Sequence, residues 1–192
     1  MKHSFWWKKA AVFAGVSGLA TGVANADITY SFTNQTWAGF AFNQVLAPGQ
    51  FALGTLTAVS VNATLNASTS FTYADDLCIY VDPLPLGTGG LLQVGGFSNL
   101  FATQRIFWDN GGSSTPGTTV IDSKNVNPIT FLGTTADPTI WLGNGYGAAG
   151  TSGTWTGSIT LVGINAVPEP TSAGLLIAGS ALAVAGLRRR RD

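Results

Sequence analysis

Between Thr154 and Leu161 the chain alternates without a slip: Trp155, Ile159 and Leu161 fall on one face with Gly157 between them, and Thr154, Thr156, Ser158 and Thr160 fall on the other. Such period-two alternation is what an antiparallel strand with one buried and one wet face requires. The rest of the central chain follows the same rule in shorter runs. Ile28 to Thr33, Gly39 to Leu46, Gly54 to Leu65, Phe71 to Val81, Leu91 to Phe97, Arg105 to Asp109, Val120-Ile121, Ile129 to Leu132 and Thr139 to Leu142 are short runs broken by Gly, Pro, Asn or Asp. Within Gly54 to Leu65, Val59, Val61, Ala63 and Leu65 share a face. No apolar stripe of helical period interrupts these runs. About nine or ten strands predict an all-β, antiparallel β-sandwich of jelly-roll type, in one domain over residues 27–165.

The ends of the chain differ in kind. Lys2, Lys8 and Lys9 precede a small apolar run, Ala10 to Val23, and Ala24-Asn25-Ala26 has the small-x-small form that signal peptidase cuts. Residues 1–26 therefore read as a signal peptide for the Sec translocase, with Asp27 as the first mature residue. Residues 166–192 hold three parts in order. Pro168-Glu169-Pro170 comes first, then an uncharged run of 17 residues from Thr171 to Leu187, then Arg188, Arg189, Arg190 and Arg191. A helix of that length spans about 25 Å, slightly less than a hydrocarbon core of about 30 Å. Four arginines after it stay on the cytoplasmic side and stop transfer, so the body lies across the membrane.

The tripeptide, the apolar helix and the arginine cluster together resemble the PEP-CTERM sorting signal. The resemblance implies an exported protein, anchored transiently by its C-terminal helix. It also implies processing near Pro168-Glu169-Pro170 by an exosortase, a membrane-embedded cysteine transpeptidase-like enzyme. The destination so implied is the cell surface or extracellular matrix of an exopolysaccharide-forming bacterium. A second resemblance concerns the body. Leu56 to Leu65, Phe71-Thr72-Tyr73-Ala74-Asp75-Asp76-Leu77, Cys78 to Pro83 and Gly153 to Leu161 look like the P-domain found beside subtilisin-like proteases. It implies a jelly-roll sandwich; residues 84–144 do not share the pattern.

With both ends set aside, the charge changes. Only Arg105 and Lys124 remain as cations, against Asp27, Asp75, Asp76, Asp82, Asp109, Asp122 and Asp137, a net charge of −5. Two cations give no footprint for nucleic acid. The body has no histidine and no glutamate, which removes a Ser-His-Asp triad, a Cys-His pair and a histidine-ligated metal. Cys78 is the only cysteine, so no disulfide forms within the chain, and the thiol reads as a buried one.

What remains is modest. Asp75, Asp76, Asp82 and Asp109 are candidate oxygen ligands for calcium, although no calcium-loop spacing is present; as turn residues they would simply cap their own backbone. Trp37, Trp108 and Tyr146 are candidate rings for stacking on sugars, against the alternative that large rings fill the space between the sheets. The expectation is a non-enzymatic surface or matrix protein without a required cofactor, associated with exopolysaccharide or biofilm. The alternative is a secreted carbohydrate-active enzyme using aspartate carboxylates on a β scaffold.

Overall fold

A computed structural model describes residues 27–83, 89–97 and 102–168. The signal-peptide segment, the apolar run 171–187 and Arg188 to Arg191 lie outside them. Among the described residues no helix is long and apolar enough to cross a membrane.

The protein is all-β. Its strands are β1 (Ile28–Ala38), β2 (Phe42–Gln44), β3 (Gln50–Thr69), β4 (Leu77–Asp82), β5 (Gly90–Val94), β6 (Ala102–Ile106), β7 (Thr119–Leu132), β8 (Thr139–Asn144) and β9 (Ser152–Pro168). They form two sheets, ordered β1-β9-β3-β7 and β2-β8-β4-β5-β6. With β6 left out, eight strands wind between two four-stranded sheets in the order of a jelly roll. β6 is an addition at the edge and breaks the antiparallel expectation, because Gly90 to Val94 pairs in parallel with Ala102 to Ile106. A parallel pair usually needs a crossover of about a dozen residues or more. Here the strands are five residues each, and alternation alone carries no sign of direction.

Three other expectations change for stated reasons. Phe71 to Val81 is not one strand. Residues Ala74–Asp76 form a turn of 3-10 helix, and only Leu77–Asp82 is β. Val120-Ile121 and Ile129 to Leu132 are one strand, β7, whose pairing with β3 shifts between Leu56 and Ala58. Pro128 is tolerated there because β7 is an edge strand. Finally, the last expected strand, Thr154 to Leu161, is longer than its alternation: β9 runs from Ser152 to Pro168, where it pairs with Gln50.

The core lies between the sheets. Leu56, Val59, Val61, Ala63 and Leu65 of β3 and Trp155, Ile159 and Leu161 of β9 face Leu77, Ile79 and Val81 of β4 and Leu142 of β8. The step from Leu56 to Val59 breaks period two, and a bulge absorbs it. At the same place Gly54 and Gly163, both with positive φ, pass so close that a Cβ on Gly54 would sit 2.5 Å from the Gly163 carbonyl oxygen. The outer face of the first sheet carries hydroxyls that bond across strands, with Thr36 to Thr154 at 2.7 Å, Ser60 to Ser123 at 2.8 Å and Thr29 to Thr160 at 3.0 Å.

β3 is also a ruler. At about 3.3 Å per residue its 20 residues extend on the order of 60 Å. Its first residue, Gln50, pairs with Pro168, and its last, Thr69, pairs with Ser152. Ile28 pairs with Leu161, and the Asp27 carboxylate accepts the Gly163 N–H at 2.9 Å. Asp27 and the last residues of β9 thus share one half of the sandwich, and the loops after Thr69 lie at the other.

Candidate functional site

At the end away from Pro168, β3 leaves the sheet through a strained turn. Ser70 and Phe71 both hold positive φ, 50° and 61°. For residues with a Cβ this costs energy and persists only where the surroundings enforce it. Thr72 supplies that enforcement. It is buried, its hydroxyl donates to the Thr69 carbonyl at 2.9 Å, and its own carbonyl accepts the Ser68 hydroxyl at 2.6 Å. The result turns the Phe71 ring outward, 76% exposed.

The next residues are fixed from below. The Tyr73 N–H donates to an Asp76 carboxylate oxygen at 2.7 Å, closing the 3-10 turn. Two buried indoles hold its flanks: Trp155 donates to the Ala74 carbonyl at 3.1 Å and Trp108 to the Leu77 carbonyl at 2.8 Å. Two neighbouring loops then close on the turn. The Gly96 N–H donates to the Asp75 carbonyl at 2.9 Å, and the Gly145 N–H to the Asp76 carbonyl at 2.7 Å. Gly96 and Gly145 meet so tightly that a Cβ on Gly145 would lie 2.6 Å from the Gly96 Cα. That approach sets the following residues, Phe97 and Tyr146, side by side, edge to face at 5.5 Å. The Asn144 side-chain oxygen accepts the Tyr146 N–H at 3.0 Å and directs that loop.

Phe71, Tyr73, Phe97 and Tyr146 thereby wall a cleft of about 150 Å³, with Asp76 in its lining. The volume is half the lower limit of about 300 Å³ for drug-sized ligands, and suits one ring or a compact head group. Asp76 is nearly buried. Burial drives its carboxyl up to about 7, opposed by the Tyr73 N–H and reinforced by the neighbouring Asp75 charge. Burial also raises Asp75.

The residues singled out in the sequence fare unequally. Trp37 and Trp108 are 1% and 6% exposed, so neither presents a face to a sugar; they fill the space between the sheets, and Trp37 packs on Phe32 and Trp155. Tyr146 does line the cleft. The four candidate calcium ligands do not converge, and among the described residues no group of three or more acidic, thiol or imidazole side chains could hold a metal. Asp75 and Asp76 occupy the turn, while Asp82 ends β4 and is buried. Asp109 is ion-paired with Lys124 at 2.6 Å, a lysine it shares with Asp122 at 3.1 Å. Cys78 is wholly buried, and burial pushes its thiol far above the usual range, so it is not a nucleophile.

Phe71, Tyr73 and Phe97 escaped the sequence reading. Both phenylalanines lie in runs that predict strands, Phe71 to Val81 and Leu91 to Phe97, where a ring means core. The available signal was their neighbours, since Ser70 and Gly95-Gly96 are turn residues and an aromatic beside a turn need not follow the alternation.

The tail leaves from the opposite end. Ala166, Val167 and Pro168 pair with Ala52, Phe51 and Gln50, and β1 no longer flanks β9 there. A shallow hollow of about 200 Å³ lies beside that pairing, lined in part by Leu46, Pro48, Gln50, Ala52, Asp137 and Ile140. Glu169, Pro170 and the arginines lie beyond the described residues. No curated protein and no solved structure matches the chain. Residues 166–191 match the PEP-CTERM protein-sorting motif, so the chain carries that signal and is an exported protein, held transiently in the membrane before processing by an exosortase-type enzyme.

Proposed function

We propose that the body is a non-enzymatic surface or extracellular-matrix module that associates with exopolysaccharide and so contributes to a biofilm. The observation that carries the reading is positional. The sorting motif starts inside β9, paired with the first residues of β3, while the aromatic cleft lies past the last residue of β3. A body held at Pro168 turns the cleft away from the membrane.

The available chemistry supports the same reading. The body has no histidine and no glutamate, and its single thiol is sealed in the core. Cations are equally scarce, so contact with a polymer would rest on rings and hydroxyls and bind weakly. The second reading, a carbohydrate-active enzyme, is favoured by one feature: a carboxyl raised to about 7 can act as a general acid. Among the described residues its only close carboxyl neighbour is the adjacent Asp75, and glycoside hydrolysis needs two carboxyls facing across the scissile bond.

The test is a deletion strain complemented with the wild-type gene or with an Asp76→Asn variant. The matrix reading expects both proteins to co-fractionate with extracellular polysaccharide and to restore its retention. Polysaccharide shortened by the wild type but left intact by Asp76→Asn would overturn it in favour of the enzyme.

A further inference from the structure

The cleft has a charge asymmetry that its rings alone do not convey. Four aromatic side chains surround it, one carboxylate lies in its lining, and a second carboxylate, Asp75, adjoins the first. The body holds only two cations, and both are engaged elsewhere. Lys124 is paired with Asp109 and Asp122, and the Arg105 guanidinium lies over the Phe107 ring at 5.6 Å. The intervening stretches 84–88 and 98–101 contain no charged residue. The cleft is therefore acidic and π-rich, becomes negative as Asp76 ionises, and has no counter-ion among the described residues.

We propose that this cleft binds a compact organic ammonium group. Aromatic faces attract a cation through their quadrupoles, most strongly where water is displaced. A carboxylate in the lining adds a direct ion pair and distinguishes an ammonium group from a neutral ring of the same size. The cleft is too small for a folded partner and suits one head group or one amino sugar. The strain at Ser70 and Phe71 fits this use, since it holds an apolar ring exposed at the cleft.

A bound cation would also resolve the position of Asp76. The titratable groups around its carboxyl are Asp75 beside it, Tyr73 and Tyr146 in the same cleft lining, and the buried Cys78; none is cationic. Without a ligand the carboxyl keeps its proton up to about pH 7. An ammonium group must displace that proton, so binding strengthens as pH rises through this value.

The experiment uses the exported, processed protein, with amide chemical shifts read during titration. The probes are choline, its uncharged isostere 3,3-dimethylbutan-1-ol, glucosamine, and N-acetylglucosamine, which lacks the amine charge. The expected result is saturable shifts at Tyr73, Phe97 and Tyr146 with choline or glucosamine, at least tenfold tighter than with the matching neutral compound. Tighter binding of choline would assign a methylated head group, and tighter binding of glucosamine a sugar-borne amine; either bears the proposal out. For choline, whose charge is fixed, affinity should rise about tenfold from pH 6 to pH 8 as Asp76 ionises. Phe97→Leu keeps the apolar volume and should weaken choline about two- to fivefold. Asp76→Asn keeps an acceptor for the Tyr73 N–H and should abolish both the preference for charge and the pH dependence. Equal binding of charged and neutral partners, or no shift at these residues with either amine, would overturn the proposal. Matrix association is measured separately in cells, so either reading can fail while the other stands.

Discussion

The Trp108 indole N–H donates to the Leu77 carbonyl at 2.8 Å, and Gly95 sits over that bond with no room for a side chain. The pair joins the segment after β6 to the first residue of β4, just below the turn that carries Asp76. Trp108→Phe keeps a large ring in place but leaves the buried carbonyl without its donor. It should lower stability by about 1–3 kcal/mol, read as a lower urea midpoint with an unchanged slope. Gly95→Ala should cost at least as much, because a Cβ collides with both the indole and the carbonyl and φ there is +78°. A stable Gly95→Ala protein with an unchanged midpoint would contradict this packing.

Asp76 makes stability depend on pH in an unusual direction. Its carboxyl is raised from 3.8 to about 7 in the fold, so the folded state holds this proton more tightly than the unfolded chain. Between about pH 4 and pH 7 the native state binds more protons at this site, and stability therefore falls as pH rises. With water still reaching the cleft, the loss across that window is about 1–2 kcal/mol. Thermal unfolding should show a higher midpoint at pH 5 than at pH 8, and Asp76→Asn should flatten the difference. A wild-type midpoint that climbs from pH 5 to pH 8, with Asp76→Asn changing nothing, would refute the assignment.

Cys78 should be chemically silent. Its side chain is fully buried, and burial together with the nearby Asp76 charge disfavours the thiolate. A colorimetric thiol reagent should titrate no thiol in the native protein and one in urea. Rapid native labelling would show that the core around β4 opens readily.

The sequence disclosed the architecture where burial follows the strand period. Trp155, Ile159 and Leu161 lie inside as their alternation requires, and so do Val59, Val61, Ala63 and Leu65. It concealed what depends on interruptions of that period. The bulge between Leu56 and Ala58 merges two expected strands into β7, and the parallel β5–β6 pair leaves no mark in the pattern. The same rule explains the aromatic residues. A tryptophan among polar neighbours looks exposed, yet Trp37 and Trp108 are core because their positions fall on the inner side. Phe71 looks like core, yet a pair of positive φ angles turns it out. Contacts between remote loops, such as Gly96 against Gly145, build the cleft, and no local pattern encodes them.

The tail prediction follows from where β9 stops. Ala166 to Pro168 are still paired with β3, so no linker separates the folded body from Glu169. A processing enzyme must therefore meet the motif at the very end of the sandwich, beside Gln50 and Phe51. Proline suits this junction because it can end a strand but cannot donate to a further ladder bond. The 17-residue apolar run beyond it, rich in Ala and Gly, is barely long enough to span and would hold a protein less firmly than a leucine-rich helix. Arg188 to Arg191 would stop transfer long enough for cleavage. In cells with an intact sorting system, mass spectrometry of the exported protein should then find no peptide containing Arg188 to Asp192. Replacing Pro168, Glu169 and Pro170 together by alanine should leave the full-length chain in the inner membrane. The rest of the sandwich should stay folded, since Pro168 contributes only the last pair of a long ladder. Arginine-bearing peptides on wild-type protein taken from the cell surface would show instead that the tail is a lasting anchor.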